Sequence, residues 1–90
     1  MKICGFNNIT LTPKTGDYGA DIIAYDMYGV KWAVQCKCYS SSVGYKAVEE
    51  VLAGAHYYGC QRAMVVTNST YTKSAQKGAK RLNVRLMVLK

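Results

Sequence analysis

A three-residue loop with glycine in its last position, Met27–Gly29, separates two stretches rich in β-branched and aromatic residues. A type I turn followed by a left-handed bulge residue needs glycine there, because glycine takes a positive φ without steric cost. The stretches on either side, residues 20–26 and 30–39, are therefore predicted to pair as a β-hairpin. No other segment restricts the possible folds of the chain as strongly.

The length of this loop also fixes the register of the hairpin. If Asp26 and Val30 close the loop, counting back along both strands places Asp21 directly opposite Gln35. Side chains alternate between the two faces of a strand, so Asp21, Gln35 and Lys37 are predicted to point to one face of the sheet. An error of one residue in the loop length would destroy this alignment.

The cysteines and the tryptophan of the second strand have the opposite parity. Cys36 and Cys38 share a face with Val34 and Trp32, and we expect Trp32 to fill the core beneath the helices. Two cysteines two residues apart on one strand suit neither a regular disulfide nor a zinc knuckle. The thiols are therefore predicted to be free and mostly buried.

One strand precedes the hairpin, and four elements follow it. Apolar and small residues recur at three- and four-residue spacing in two segments, which predicts amphipathic helices, the second of them capped by Thr72. The inward positions are Ala47, Val48, Val51, Leu52, Ala55 and Tyr58 in the first helix and Ala75, Ala79 and Leu82 in the second. The predicted ranges are a strand at 8–13, a helix at 43–58, a strand at 62–68, a helix at 73–82 and a strand at 84–89.

This order of elements (strand, β-hairpin, helix, strand, helix, strand) predicts an α/β fold with a mixed β-sheet flanked by helices. The chain has 90 residues, half of them hydrophobic, which suits one domain and leaves no material for a second core. It has no apolar run of the roughly 20 residues that a membrane-spanning helix needs, and no secretory signal. We therefore expect a cytoplasmic protein without a membrane partner.

The net charge is +7, from 12 Lys and Arg residues against 5 Asp and Glu residues. A small basic domain most often meets a polyanion, so nucleic acid is the leading class of partner.

A carboxylate, an amide and an ammonium on one sheet face can build a site for phosphodiester hydrolysis. Asp21 offers Mg²⁺ a hard anionic oxygen, Gln35 offers a neutral carbonyl oxygen, and the backbone carbonyl of Cys36 is a third ligand. Lys37 would lie beside the metal, where its ammonium can orient a water or stabilise charge on the scissile phosphate. Alternatively, Gln35 and Lys37 belong to the solvated face of a half-buried strand, and spacing alone favours that reading.

Most of the chain, from Thr12 to Met87, resembles the Mrr-like branch of the PD-(D/E)XK nuclease superfamily. The resemblance rests on a G-x-D pattern at residues 19–21 and on a Q-x-K pattern at residues 35–37, in place of the commoner acid-x-Lys. It also includes a VVTNS strand followed by the start of a helix at residues 65–75. All of these patterns occur in the order and at the spacing of the family.

This resemblance implies a restriction-endonuclease-like core and a metal-dependent DNA endonuclease of restriction type. Asp21 would be a metal ligand, Gln35 a ligand or a residue that positions the metal, and Lys37 the catalytic lysine. The backbone carbonyl of Cys36 would complete the metal site. The implied cofactor is Mg²⁺ or Mn²⁺, and the implied partner is DNA.

Members of this family usually begin with a helix that carries a glutamate directed at the metal. Residues 1–16 contain no acid and leave too little chain before the first strand for that helix, so we expect the fold to lack it. Three explanations stay open: residues 1–90 are a single catalytic domain truncated at its N-terminus, a second subunit of a homodimer completes the site, or activity is reduced. Asp17 or Glu49 could add a carboxylate, although Asp17 equally suits a turn and Glu49 a solvated surface.

Two other functions stay open. A nuclease-fold module that binds DNA with little or no catalysis is favoured by the scarcity of acids, and a Holliday junction resolvase-like nuclease would differ only in substrate. The cations available for a phosphate backbone are Lys14, Lys46, Lys73, Lys77, Lys80 and Arg81. The last four recur at helical spacing, which suits an ordinary solvated helix face equally well.

Overall fold

The computed structural model describes residues 6–11, 20–38 and 40–89. The elements are β1 (Phe6–Leu11), β2 (Ile22–Asp26), β3 (Lys31–Lys37), α1 (Tyr45–Tyr57), β4 (Arg62–Thr67), α2 (Lys73–Leu82) and β5 (Val84–Val88). The predicted order of elements is confirmed, although β1 begins and ends two residues earlier than predicted. The expected lack of an N-terminal helix concerns residues 1–5, which lie outside the described residues.

The five strands form one mixed sheet in the order β1-β2-β3-β4-β5. β1, β2 and β3 pair antiparallel, whereas β3, β4 and β5 pair parallel. Parallel neighbours need a long crossover connection, and α1 and α2 supply the two that this sheet requires. Neither helix in the described part of the chain is long and apolar enough to cross a membrane.

The predicted register of the hairpin is confirmed. β2 pairs with β3 through Ile22 and Val34, and the ladder continues in step to Tyr25 and Lys31. Gly29 has a φ of 79°, the left-handed conformation for which glycine is favoured at this loop position.

The carboxylate of Asp26 holds the hairpin loop together. Its Oδ1 accepts hydrogen bonds from the amides of Tyr28 (2.9 Å) and Val30 (3.0 Å). Its Oδ2 accepts one from the indole Nε1 of Trp32 at 3.0 Å. One side chain thus satisfies two loop amides and fixes the first large residue of β3, which keeps the strands in register.

Both helices pack on one face of the sheet. The buried residues of this face include Ile23, Ala33 and Val65 from the strands and Val48 and Val51 from α1. Small side chains on β3 and β4 let α1 approach the sheet closely. The predicted inward stripe of α1 is correct except at Leu52, which is 36% exposed because the stripe runs through the buried Gly54 instead.

Trp32 lies on the opposite face of the sheet, so its predicted place beneath the helices is wrong. It belongs to a second buried cluster with Val34, Met64 and Val66, and the guanidinium of Arg62 lies 4.6 Å from its ring. The parity was right, but alternation along a strand says which residues share a face and not which face the helices cover.

The thiols of this strand are less buried than predicted. The cysteines at 36, 38 and 60 are free, as predicted, but Cys38 is exposed and Cys36 and Cys60 are only partly buried. Cys38 follows the last residue of β3, where the strand leaves the sheet and loses its cover. Burial, followed by the charge of Asp21, raises the pKa of the Cys36 thiol, which disfavours a reactive thiolate.

The loops after β3 and β4 are tied together where α1 and α2 begin. The Val43 amide donates to the Thr70 carbonyl at 2.8 Å, and the Thr72 amide donates to the Val43 carbonyl at 3.0 Å. This bridge holds Val43 outside the helix, so α1 begins at Tyr45 rather than at the predicted Val43. Thr72 caps α2 as predicted, because its Oγ1 accepts a hydrogen bond from the Ala75 amide.

The Asp26 carboxylate predicts a specific dependence of stability on pH. The Trp32 indole first, and then the Val30 and Tyr28 amides, hold the pKa of Asp26 below its ordinary value of 3.8. A lowered pKa in the folded state gives stability that is present above the unfolded pKa and is lost as the pH falls through the folded pKa. Asp26→Asn should therefore unfold at lower urea than wild type at pH 7, and the gap should narrow below pH 3.8.

Urea titrations of both proteins between pH 7 and pH 3 measure this gap. Glu49→Gln, which removes an exposed acid of α1, serves as the control and should show no comparable gap. A gap for Asp26→Asn that stays constant across the whole pH range would contradict the assigned role of the charge.

Candidate active site

The Asp21 carboxylate lies against the backbone of β3. Its Oδ2 accepts a hydrogen bond from the Cys36 amide at 2.9 Å, and its own amide donates to the Val34 carbonyl at 2.9 Å. The paired ladder ends at Ile22, so Asp21 reaches β3 through these two bonds rather than as a paired residue. The carboxylate therefore lies at the amide of Cys36, the residue between Gln35 and Lys37, which are the two residues predicted to share its face.

Gln35 lies on the face of β3 that carries Ala33 and meets the helices. Its side chain is only 7% exposed, and its Oε1 is buried without a hydrogen-bond partner among the described residues. A buried acceptor without a partner costs about 1–3 kcal/mol of folding free energy. Such an oxygen is available to a cation or to a donor group of a ligand.

Lys37 ends β3 and points toward α1. Its Nζ lies 3.2 Å from Oε1 of Glu50, with the two side chains 18% and 37% exposed. Both line a cavity of about 240 Å³ together with Lys46 and the first turn of α1. The hydroxyl of Thr67 donates to the Lys37 carbonyl, which fixes the backbone of β3 against β4 at this point.

Glu50 is the functional candidate that sequence reasoning missed. Glu49 was the acid considered on this helix, but Glu49 lines a different groove, with Leu52 and His56. Glu50 follows Ala47 by three residues and precedes Val51, both of which are buried, so the helical period puts it at the edge of the inward stripe. That position was a usable signal, because a residue at the edge of the stripe can reach the end of the neighbouring strand.

The five predicted DNA-binding cations that the structure describes divide into three groups. Lys46 lines the cavity beside Lys37, whereas Lys77 and Arg81 line a separate groove of α2 beside Tyr45. Lys73 and Lys80 are exposed on α2 as well. Lys14 lies outside the described residues, and so does Asp17. Of these cations, Lys46 is the one that lines the same cavity as Lys37. The exposed cations of α2 are compatible with DNA binding and equally with an ordinary solvated helix face.

The donors at this site fit a weakly held Mg²⁺ or Mn²⁺. Asp21 supplies an anionic oxygen, Gln35 a carbonyl oxygen without a partner, and Cys36 a backbone carbonyl. Mg²⁺ is commonly held by one or two carboxylates, with waters and substrate phosphates completing the shell. Three or more His, Cys, Asp and Glu side chains do not cluster anywhere in the described ranges, so a cage of the zinc type does not fit there.

Comparison with protein families gives a match over the whole chain. The model of the Mrr catalytic family, described as a restriction endonuclease, matches residues 1–90. A search of curated proteins gives no match.

Solved structures share the fold of this chain. A protein of unknown function, AF1548, is similar with a TM-score of 0.73 and 18% identity, over 91% of this chain and 48% of its own. A repair endonuclease from Pyrococcus abyssi follows, with a TM-score of 0.71 and 22% identity over 96% of this chain and 39% of its own. The DNA modification-dependent restriction endonuclease AspBHI has a TM-score of 0.69 and 23% identity over 89% of this chain and 23% of its own. The chain thus spans less than half the length of each of these proteins.

Gln35 yields a prediction about stability. Gln35→Met keeps the size of the side chain and removes the buried amide, so we expect the free energy of unfolding in EDTA to rise by about 1 kcal/mol. Stabilisation of the wild type by added Mg²⁺ or Mn²⁺ should be lost or reduced in the variant. Urea unfolding with and without metal measures both effects.

Gln61→Met is the matched control, because the Oε1 of Gln61 accepts a hydrogen bond from the Lys31 amide at 2.7 Å. The same substitution should there lower stability, because it removes an acceptor that is in use. Equal losses of stability at both positions would contradict the assignment of Gln35 as an amide held for a ligand.

Proposed function

Since the chain belongs to the Mrr catalytic family of restriction endonucleases, we propose that it is a metal-dependent DNA endonuclease domain occupying residues 1–90. The observation that carries the proposal is the bond between the Asp21 carboxylate and the Cys36 amide. It brings an anionic oxygen to the amide of Cys36, the residue between the buried Gln35 and Lys37. The net charge of the chain, +7, supports a polyanionic substrate.

Asp21, Gln35 and the backbone carbonyl of Cys36 would hold the divalent ion. When bound, Mg²⁺ or Mn²⁺ supplies positive charge that polarises a phosphoryl oxygen. The Cys36 amide orients the Asp21 carboxylate by its hydrogen bond, and the burial of Gln35 fixes the direction of its Oε1. Both donors are therefore in place before the substrate arrives, which reduces the cost of ordering them.

Lys37 would act on the phosphate itself. Its ammonium lies at the cavity in front of α1, and Lys46 adds a second positive charge to the same cavity. Ammonium donors directed at phosphoryl oxygens stabilise the negative charge that develops as the phosphodiester is attacked. Positive charge would therefore act on the phosphate from two sides. Lys37 and Lys46 would act from the cavity, and the divalent ion would act from the side of Asp21.

A second candidate function is DNA binding without catalysis. Its support is the ion pair between Lys37 and Glu50, which occupies the lysine. Within the described residues, Asp21 is also the one acid bonded to the backbone next to Gln35. Such a module would bind DNA in a salt-dependent manner that EDTA does not change. A junction resolvase-like nuclease would use the same residues, and four-way junctions tested against linear duplex separate it from a restriction-type enzyme.

The active-site assignment predicts the behaviour of three variants in a cleavage assay. With Mg²⁺ or Mn²⁺, wild type should nick or cut DNA, whereas Asp21→Asn and Lys37→Met should each lower the rate by at least about 100-fold. Arg85→Met removes an exposed cation from β5, outside the site, and should retain cleavage. Gel analysis of plasmid DNA, with circular dichroism to verify folding, gives the comparison.

Intact plasmid with wild-type protein under both metals, together with retained DNA binding, would favour the binding module instead. Equal losses of cleavage in Lys37→Met and Arg85→Met would mean that net charge, rather than the site, controls the rate. If two copies cut opposite strands, linear product should increase with protein concentration, which tests the proposed homodimer.

A further inference from the structure

Lys37 and Glu50 are each fixed at the backbone before their side chains meet. The Lys37 carbonyl accepts the hydroxyl of Thr67, which ties the end of β3 to β4. Glu50 lies in the middle of α1, and its neighbours Ala47 and Val51 are buried against the sheet. The contact between Nζ and Oε1 at 3.2 Å therefore joins two rigid elements rather than two mobile surface chains.

We propose that Glu50 is a positioning residue that holds the Lys37 ammonium at the cavity in front of α1, where the scissile phosphate binds. The inference rests on the proposed endonuclease function and adds a residue to it. A lysine side chain has four rotatable bonds, so an ammonium without a fixed neighbour samples many positions. The carboxylate restricts this freedom, so that the ammonium is already in position when the phosphate binds.

The partial burial of the pair is what makes this role effective. The Lys37 side chain is 18% exposed, so water screens the contact less than it screens an ion pair on the surface. The Glu50 side chain is more open, at 37%, and so it can yield part of the ammonium to an incoming phosphate. Lys46 on the same cavity keeps the local charge positive while Glu50 is present.

The chain supplies a matched control on the same helix. Glu49 precedes Glu50 by one residue, which is about 100° around the helix axis, and it lines the groove with Leu52 and His56. Glu49→Gln and Glu50→Gln remove the same charge from adjacent residues of α1. A difference between the two variants therefore reports the contact with Lys37 and not the overall charge.

Steady-state cleavage under saturating Mg²⁺ is the first measurement. Glu50→Gln should lower kcat by about 10- to 100-fold with KM within about twofold of wild type, as expected when a reacting group loses its position. Glu49→Gln should match wild type in kcat and in KM.

The Mg²⁺ concentration for half-maximal rate separates positioning from metal ligation. It should change by less than about twofold in Glu50→Gln if Glu50 acts only on Lys37. A rise of about tenfold or more would make Glu50 a metal ligand and overturn the proposal. Equal kcat values for Glu50→Gln and Glu49→Gln would overturn it as well.

Acylation of the Lys37 amine gives a measurement that does not depend on cleavage. At a fixed pH, without metal or DNA, an amine-reactive reagent followed by mass spectrometry should modify Lys37 several-fold faster in Glu50→Gln than in wild type or Glu49→Gln, because the carboxylate no longer holds the amine in its contact. If wild type cuts DNA and this difference is absent, the positioning role fails while the nuclease function stands. If the difference is present and wild type cuts no DNA, the nuclease function fails and the positioning role fails with it.

Discussion

The pairing of β2 with β3 is the constraint on which the rest of the structure depends. Asp26 fixes its register by three hydrogen bonds at one end, and the bond from the Cys36 amide to Asp21 closes the other end. Because Gln35 and Lys37 lie on the same strand, this single hairpin carries the whole predicted site. β4 and α1 then add the groups that surround it, through Thr67 and Glu50.

The grouping of Asp21, Gln35 and Lys37 could be predicted because side chains alternate between the two faces of a strand. The position of one glycine, Gly29, also indicated the length of the hairpin loop. Which side of the sheet the helices cover could not be predicted in this way. The parity of β3 that carries Trp32, Val34 and Cys36 is the more apolar one, so hydrophobicity and side-chain size favoured the wrong face. The helices instead pack over Ala33, because small side chains allow helix and sheet to approach.

The acid on α1 could not be identified as firmly as the groups on the hairpin, because each residue turns a helix by about 100°. An uncertainty of one residue in helical phase exchanges Glu49 for Glu50. The start of α1 could not be predicted for a different reason: the bridge between Val43 and Tyr71 holds Val43 outside the helix through hydrogen bonds to a loop far away in sequence. Contacts of that kind follow from the assembled sheet and leave no local pattern.

Gln35 and Thr67 are the two buried polar side chains in the described part of the chain. They differ in whether their polar atoms have hydrogen-bond partners within the protein. Thr67 donates to the Lys37 carbonyl and accepts from the Ser69 amide, so its burial is compensated within the protein. The Oε1 of Gln35 has no such compensation among the described residues. The surrounding core of alanine and valine would accept an apolar side chain there at no loss of packing. An amide at this position therefore lowers the stability of the fold and leaves an oxygen without a partner on the residue that precedes the amide bonded to Asp21. That is the balance expected of a residue that serves a ligand rather than the fold.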